Sequence, residues 1–262
     1  MSARVGFFTD TSVCIGCKAC EVACKEWNGV PDDPLGFTGE SYDNSGGLGA
    51  DRWRHVAFIE QERLVPGQDF RWLMSSDVCK HCQRAGCLEA CPTGAIIRTG
   101  FDTVYVQPDV CNGCGYCVVA CPFGVIDRHQ DDGRAWKCTL CYDRLGEDMT
   151  PACAKACPTA SIQFGDLDEL RERAHRRVEQ LWDMGWEQAY LYGADAENQP
   201  GTGGLNAFFL LLDKPEVYNL PPDPVVPTLK GKEAWASMGW GALGMAVVAL
   251  GAAILGREVT HG

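Results

Sequence analysis

No surplus of basic residues appears in this chain: 23 lysines and arginines face 35 aspartates and glutamates, a formal net charge of −12. Binding a phosphate backbone needs a basic patch, so nucleic acid is excluded as a partner. Catalytic signatures are missing as well. There is no nucleophile–base pair, phosphate-cradling glycine loop or nucleotide fingerprint, so the chain itself is expected to transform no substrate. The five histidines, His55, His81, His129, His175 and His261, fall at no metal-binding spacing. His81 is expected to make a hydrogen bond to backbone or lie at the surface. The opening MSARVGFFTDTSVC has neither an apolar run flanked by basic residues nor a twin-arginine pair. That predicts a cytoplasmic location or export alongside a partner that carries the signal.

What the chain has in excess is cysteine, 16 in 262 residues. A secreted disulfide scaffold would be smaller and would scatter its cysteines over irregular loops. Here they form four tight groups: Cys14, Cys17, Cys20, Cys24; Cys79, Cys82, Cys87, Cys91; Cys111, Cys114, Cys117, Cys121; and Cys138, Cys141, Cys153, Cys157. The repetition implies a duplicated unit. A [4Fe–4S] cube needs four soft thiolates at the corners of a tetrahedron. In the Cys-x2-Cys-x2-Cys-x3-Cys-Pro pattern the fourth cysteine ligates the other cluster of a two-cluster module, so four groups predict two modules and four [4Fe–4S] clusters.

The third group matches that pattern fully, with Pro122, while the first has Lys25 where proline is usual. The second widens one spacing and keeps Pro92. The fourth places eleven residues between Cys141 and Cys153 and keeps Pro158. Zinc is the competing ligand, because two separated cysteine pairs can build a tetrathiolate site and make a zinc-stabilised interaction protein. The compact spacing of the other groups argues against it. Gly16, Gly113 and Gly115 are expected to let backbone N–H groups approach the sulfurs and raise reduction potentials.

Around the groups the sequence reads as α+β. Strands are expected at Ala95–Arg98 and Thr103–Gln107 and in the segments after Cys121 and Cys157, with a turn at Asp131-Asp132-Gly133. Trp27–Asp51 reads as a surface loop, and Arg52–Arg63 with Phe70–Met74 as a hairpin around Pro66-Gly67. Leu167, Leu170, Ala174, Val178 and Leu181 recur at helical spacing. A loop at Gly193–Gly204, a strand at Ala207–Leu212 and a proline-rich connector follow. The layout is therefore two interlocked ferredoxin-like modules over 1–165, with an inserted loop and hairpin at 27–76. A connecting region covers 166–233, and a transmembrane helix covers 234–255, 22 residues without a charge. Small residues four apart, Ala242 with Ala246 and Ala249 with Ala253, suit packing against another membrane helix, and Trp235 and Trp240 suit an interface.

CIGCKACEVACKEWN, CPTGAI, CNGCGYCVVACPF, KCTLCYDR, PACAKACPTASIQFG and the LPPDP connector, in this order, make the chain resemble the four-cluster β subunits of membrane-bound bis-pterin molybdenum or tungsten oxidoreductases. The resemblance is strongest to the formate dehydrogenase N type. Spacing alone leaves open which groups combine. The resemblance implies that the first combines with the fourth and the second with the third. One cluster would take Cys14, Cys17, Cys20 and Cys157, and its neighbour Cys24, Cys138, Cys141 and Cys153. Another would take Cys79, Cys82, Cys87 and Cys121, and the last Cys91, Cys111, Cys114 and Cys117. It further implies a formate-oxidising α subunit, a cytochrome b γ subunit passing electrons to quinone, and a cluster domain outside the cytoplasmic membrane. A nickel–iron hydrogenase or another pterin oxidoreductase is the alternative source of electrons.

Overall fold

The computed structural model describes residues 4–31, 39, 42, 43, 45–65 and 68–259, with the side chains at 62–69, 232, 234, 250, 251 and 253–259 outside the description. Much of the expected Trp27–Asp51 loop and the Pro66-Gly67 turn lie outside the described residues. In chain order the elements are β1 (Val5–Asp10), α1 (Ala19–Asn28), β2 (Arg54–Val65), β3 (Gln68–Val78), α2 (Gly86–Glu89), β4 (Ile96–Arg98), β5 (Val104–Val106) and α3 (Tyr116–Ala120). They continue with β6 (Asp127–Arg128), β7 (Ala135–Trp136), α4 (Tyr142–Gly146), α5 (Ala152–Lys155), β8 (Ile162–Asp166), α6 (Leu167–Asp183), β9 (Tyr190–Tyr192), β10 (Ala207–Leu211) and α7 (Gly231–Val259). The chain divides into two compact units, one running to Val226 and one starting at Pro227.

One four-stranded sheet, in the order β8-β1-β10-β9, organises the first unit. β1 pairs antiparallel with β8 and parallel with β10. Because side chains alternate along a strand, neighbouring residues of β1 serve different cores. Phe7 packs among the cysteines, and Phe8 packs under α6. Phe8 stacks on Phe208 at 5.4 Å. The stripe Leu167, Leu170, Ala174, Val178 and Leu181 forms the buried face of α6, each large apolar side chain contributing about 1.5–3 kcal/mol. Asp166 caps that helix by accepting from the Asp168 and Glu169 amides. This sheet ties the region after Asp166 to the start of the chain.

Three two-stranded hairpins carry the cysteine loops. β4–β5 and β6–β7 lie where strands and the Asp131-Asp132-Gly133 turn were expected. β3 runs on past Met74 to Val78, because Ser75, Ser76 and Asp77 pair with Ala57, Val56 and His55. The hydroxyls and carboxylate had masked a continuing strand.

In the second unit α7 is continuous over the expected 234–255, and Trp235, Met238, Trp240, Leu243, Met245, Val247 and Val248 are exposed on it. Among the described residues, no helix is long and apolar enough to cross a membrane.

Candidate metal centres

Each cysteine group is built around a helical turn. Cys20 and Cys24 lie four residues apart on α1, and Cys87/Cys91, Cys117/Cys121 and Cys153/Cys157 repeat that spacing at α2, α3 and α5. Residues four apart share one helix face, one turn above the other. The two members of each pair serve adjacent sites.

Site A is a cavity lined by Cys14, Cys17, Cys20 and Cys157. Site C is lined by Cys79, Cys82, Cys87 and Cys121. Site D is lined by Cys91, Cys111, Cys114 and Cys117. The remaining four, Cys24, Cys138, Cys141 and Cys153, neighbour one another as site B. The sites follow in series: Cys20 of A neighbours Cys153 of B, Cys138 of B neighbours Cys79 of C, and Cys87 of C neighbours Cys117 of D. Twelve of the sixteen cysteines thus line three cavities in sets of four, and the remaining four neighbour one another.

Local sequence explains the cradles. After Cys91 the turn begun by Pro92 aims the amides of Thr93, Ala95 and Ile96 at the sulfur. Burial opposes ionisation there, but these bonds and the Thr93 hydroxyl outweigh it and lower the thiol's pKa. The turn after Pro122 does the same for Cys121 with the Phe123 and Val125 amides, although burial still leaves that thiol raised. Where Lys25 replaces proline, α1 runs ten residues and ends at Gly29; α2, α3 and α5 span only four or five residues and end before their prolines. Gly16, at φ +65°, donates its amide to the Cys14 sulfur, and a Cβ there would sit 2.6 Å from the Phe58 ring. Other donors to sulfur are Ala135 N to Cys111 (3.4 Å), Leu140 N to Cys138 (3.3 Å) and Asn28 Nδ2 to Cys24 (3.6 Å).

Burial dominates the interior thiols. It pushes Cys20 and Cys141 up to about 11 and Cys24 and Cys87 up to about 12, with neighbouring cysteines adding to the effect. Such groups do not ionise at neutral pH unless a cation replaces the proton.

Among the described residues Arg54, Lys80, Lys137 and Arg144 are buried cations that were not anticipated from the sequence. Arg54 is 1 % exposed and Lys137 2 %. Burial should lower both, yet the surrounding sulfurs raise them: Cys153, Cys20, Cys138 and Cys24 around Arg54, and Cys79, Cys87 and Cys138 around Lys137. Among the described residues neither pairs with a carboxylate. Lys80, by contrast, pairs with Asp77. A basic residue directly before a ligand-type cysteine, as in Lys137-Cys138, was the one available signal. His81 is buried with φ +44°. Its Nδ1 accepts from the Val104 amide at 3.1 Å, which puts the proton on Nε2. Burial, then Lys137, Arg98 and Arg54, keep it neutral by lowering its pKa.

The donor sets fit iron–sulfur cubes better than zinc. Four thiolates on one zinc stand about 3.8 Å apart, from Zn–S bonds of about 2.3 Å in a tetrahedron. Among the described residues no three potential ligands converge on a single ion; instead the thiols of sites A, C and D ring cavities, as a four-iron core requires. Buried cations without carboxylates also demand anionic neighbours, which thiolate-bound clusters supply.

Fold and sites define a ferredoxin-type carrier of four [4Fe–4S] clusters, a non-catalytic electron-transfer subunit. Two families described as "4Fe-4S dicluster domain" match it, over residues 13–95 and 70–167. The nitrate-inducible formate dehydrogenase iron–sulfur subunit of Escherichia coli is 43 % identical over 86 % of this chain and 75 % of its own length. The formate dehydrogenase iron–sulfur subunit of Haemophilus influenzae is also 43 % identical, over 83 % and 68 %. The B subunit of anaerobic dimethyl sulfoxide reductase of Escherichia coli is 35 % identical over 66 % and 78 %. The protein belongs to the family of formate dehydrogenase iron–sulfur subunits.

Proposed function

We propose that this protein carries electrons from a formate-oxidising bis-pterin molybdenum or tungsten subunit to a cytochrome b in the membrane, and so to quinone. The four sets at sites A to D are the ligand sets, and two interlocked modules, A with B and C with D, make up residues 1–165. Bound [4Fe–4S] clusters supply one-electron redox chemistry. The protein's own residues fix their positions, exclude water from the interior sites and set local charge.

The observation that supports this reading is the run of neighbouring cysteines, Cys20 with Cys153, Cys138 with Cys79 and Cys87 with Cys117, with the two exposed cysteines, Cys17 and Cys114, at its two ends. The test is to purify the native complex anaerobically through a tag on this subunit and add formate while recording the visible cluster absorption. Formate should bleach it. Clusters that dithionite reduces and formate does not would overturn formate as the source. A second reading, favoured by the 35 % identity to the dimethyl sulfoxide reductase subunit, gives the same wire a different catalytic partner, another pterin oxidoreductase or a nickel–iron hydrogenase. Bleaching by hydrogen alone would select the hydrogenase.

Membrane attachment through α7, with the cluster domain on the extracytoplasmic face, belongs to the same proposal. Its support is the uncharged run from Ala234 to Leu255, its continuity as helix and its exposed apolar side chains. Deleting residues from Ala234 onward should release the complex from membranes or uncouple it from quinone reduction. A truncated protein that still sediments with membranes and supports full quinone reduction would remove α7 from this role.

A further inference from the structure

Arg54 sits between sites A and B. Its Nη1 donates to the Ser76 hydroxyl at 3.1 Å, and that oxygen lies 3.2 Å from the Cys20 sulfur of site A. Its other neighbours, Cys24, Cys138 and Cys153, belong to site B. The guanidinium rests over the Phe7 ring at 5.0 Å, and among the described residues its Nε and Nη2 have no hydrogen-bond partner. Lys137 occupies the matching place between B and C. It lines the site C cavity and reaches the Cys79 sulfur, while its Nζ also donates to the Val104 carbonyl and, at 3.0 Å, to that of Cys138 in site B.

Burying a charge without a partner is costly, and orphaned guanidinium donors add to that cost. Among the described residues neither holds a carboxylate, so their charges serve the sites on either side. We infer that Arg54 and Lys137 are the built-in counter-charges of the wire, each shared by two consecutive clusters, and that site B, flanked by both, is raised furthest in reduction potential by them. This inference rests on the ligand sets proposed above. One-electron reduction adds one negative charge to a cluster while no bond forms or breaks. A fixed cation nearby in a low-dielectric interior favours that reduced state. Site D has neither cation, and Lys80 beside site C is already neutralised by Asp77.

The test uses the native complex carrying R54Q, K137Q or both, with iron content and dithionite potentiometric titration followed by electron paramagnetic resonance. R54Q should lower two midpoints and K137Q two, with a single cluster common to both sets. The double variant should lower that shared cluster most, by at least a tenfold change in its reduction equilibrium, 59 mV for one electron. R54K and K137R, which keep the charge, should retain wild-type iron and stay near wild-type midpoints.

Full iron with unmoved midpoints in the glutamine variants would overturn the inference and leave the clusters standing. So would shifts that share no cluster, or lysine and arginine exchanges that shift or lose iron as much as the glutamine variants. Loss of iron in a glutamine variant but not in its charge-keeping counterpart would support it, because charge is then what the site requires. Absence of iron from the wild type would instead refute the ligand sets themselves.

Discussion

The two end sites and the two middle sites are made of the same thiols and differ in what surrounds them. Site A presents Cys17 to solvent beside exposed Ile15, and site D presents Cys114 beside exposed Tyr116 and Val119. In site B all four cysteines are buried, and in site C Cys79 and Cys87 are buried while Cys82 and Cys121 are half-buried. Water can help solvate charge at the ends. In the middle the protein must do that itself, and it is there that Arg54 and Lys137 sit. Identical ligands therefore do not make identical centres.

The largest contrast should come from removing a ligand at each kind of site. Cys138→Ala opens a hole that solvent cannot reach, so about four of roughly sixteen irons should be lost, whereas Cys17→Ala should lose about one and leave a three-iron centre. Iron analysis with electron paramagnetic resonance reads both, and equal losses would erase the distinction. Next, an iron chelator added to the oxidised protein should draw out about eight irons in a fast phase from the ends before the rest. Uniform release would mean that burial does not protect the middle.

A smaller effect tests the packing that seals the interior. A Cβ at Gly86 would lie 2.4 Å from the Ala120 carbonyl oxygen, where α2 meets α3 behind site C, while one at Gly100 would meet nothing within 4 Å. Gly86→Ala should cost about 1–3 kcal/mol, and Gly100→Ala no more than about 0.5 kcal/mol, measured by thermal unfolding of the loaded protein. The smallest effect concerns hydroxyls. Ser76→Ala removes a buried hydrogen bond to Cys20, and Thr93→Val an outlying one to Cys91. Both should lower a midpoint by less than a tenfold equilibrium change, under about 59 mV, with Ser76→Ala the larger.

The sites were more legible in the sequence than the fold around them. Thiol chemistry is local, so Cys111 to Pro122 announces its purpose within a dozen residues. The pairing of the first group with the fourth came only from family resemblance, since spacing does not encode contacts between Cys14 and Cys157. β1 went unread for the same reason: its partners β8 and β10 lie over 150 residues away, and a six-residue VGFFTD carries little periodicity of its own. Arg54 and Lys137 were hidden by the reasonable assumption that charged side chains are solvated. Where helix length could be read, the reason was equally local. Proline stops α2, α3 and α5 and its absence lets α1 continue.

The nesting of the groups also sets a timetable. With the proposed ligand sets, sites C and D draw on cysteines between Cys79 and Cys121, so they can be completed by a contiguous stretch of polypeptide as it leaves the ribosome. Sites A and B then need residues from before and after that stretch, and A cannot close until Cys157 has emerged, 143 residues after Cys14 (157 − 14). At about 5–20 residues per second, the first cysteines wait roughly 7–30 s as uncommitted thiols. During synthesis, the first group made is among the last to be finished.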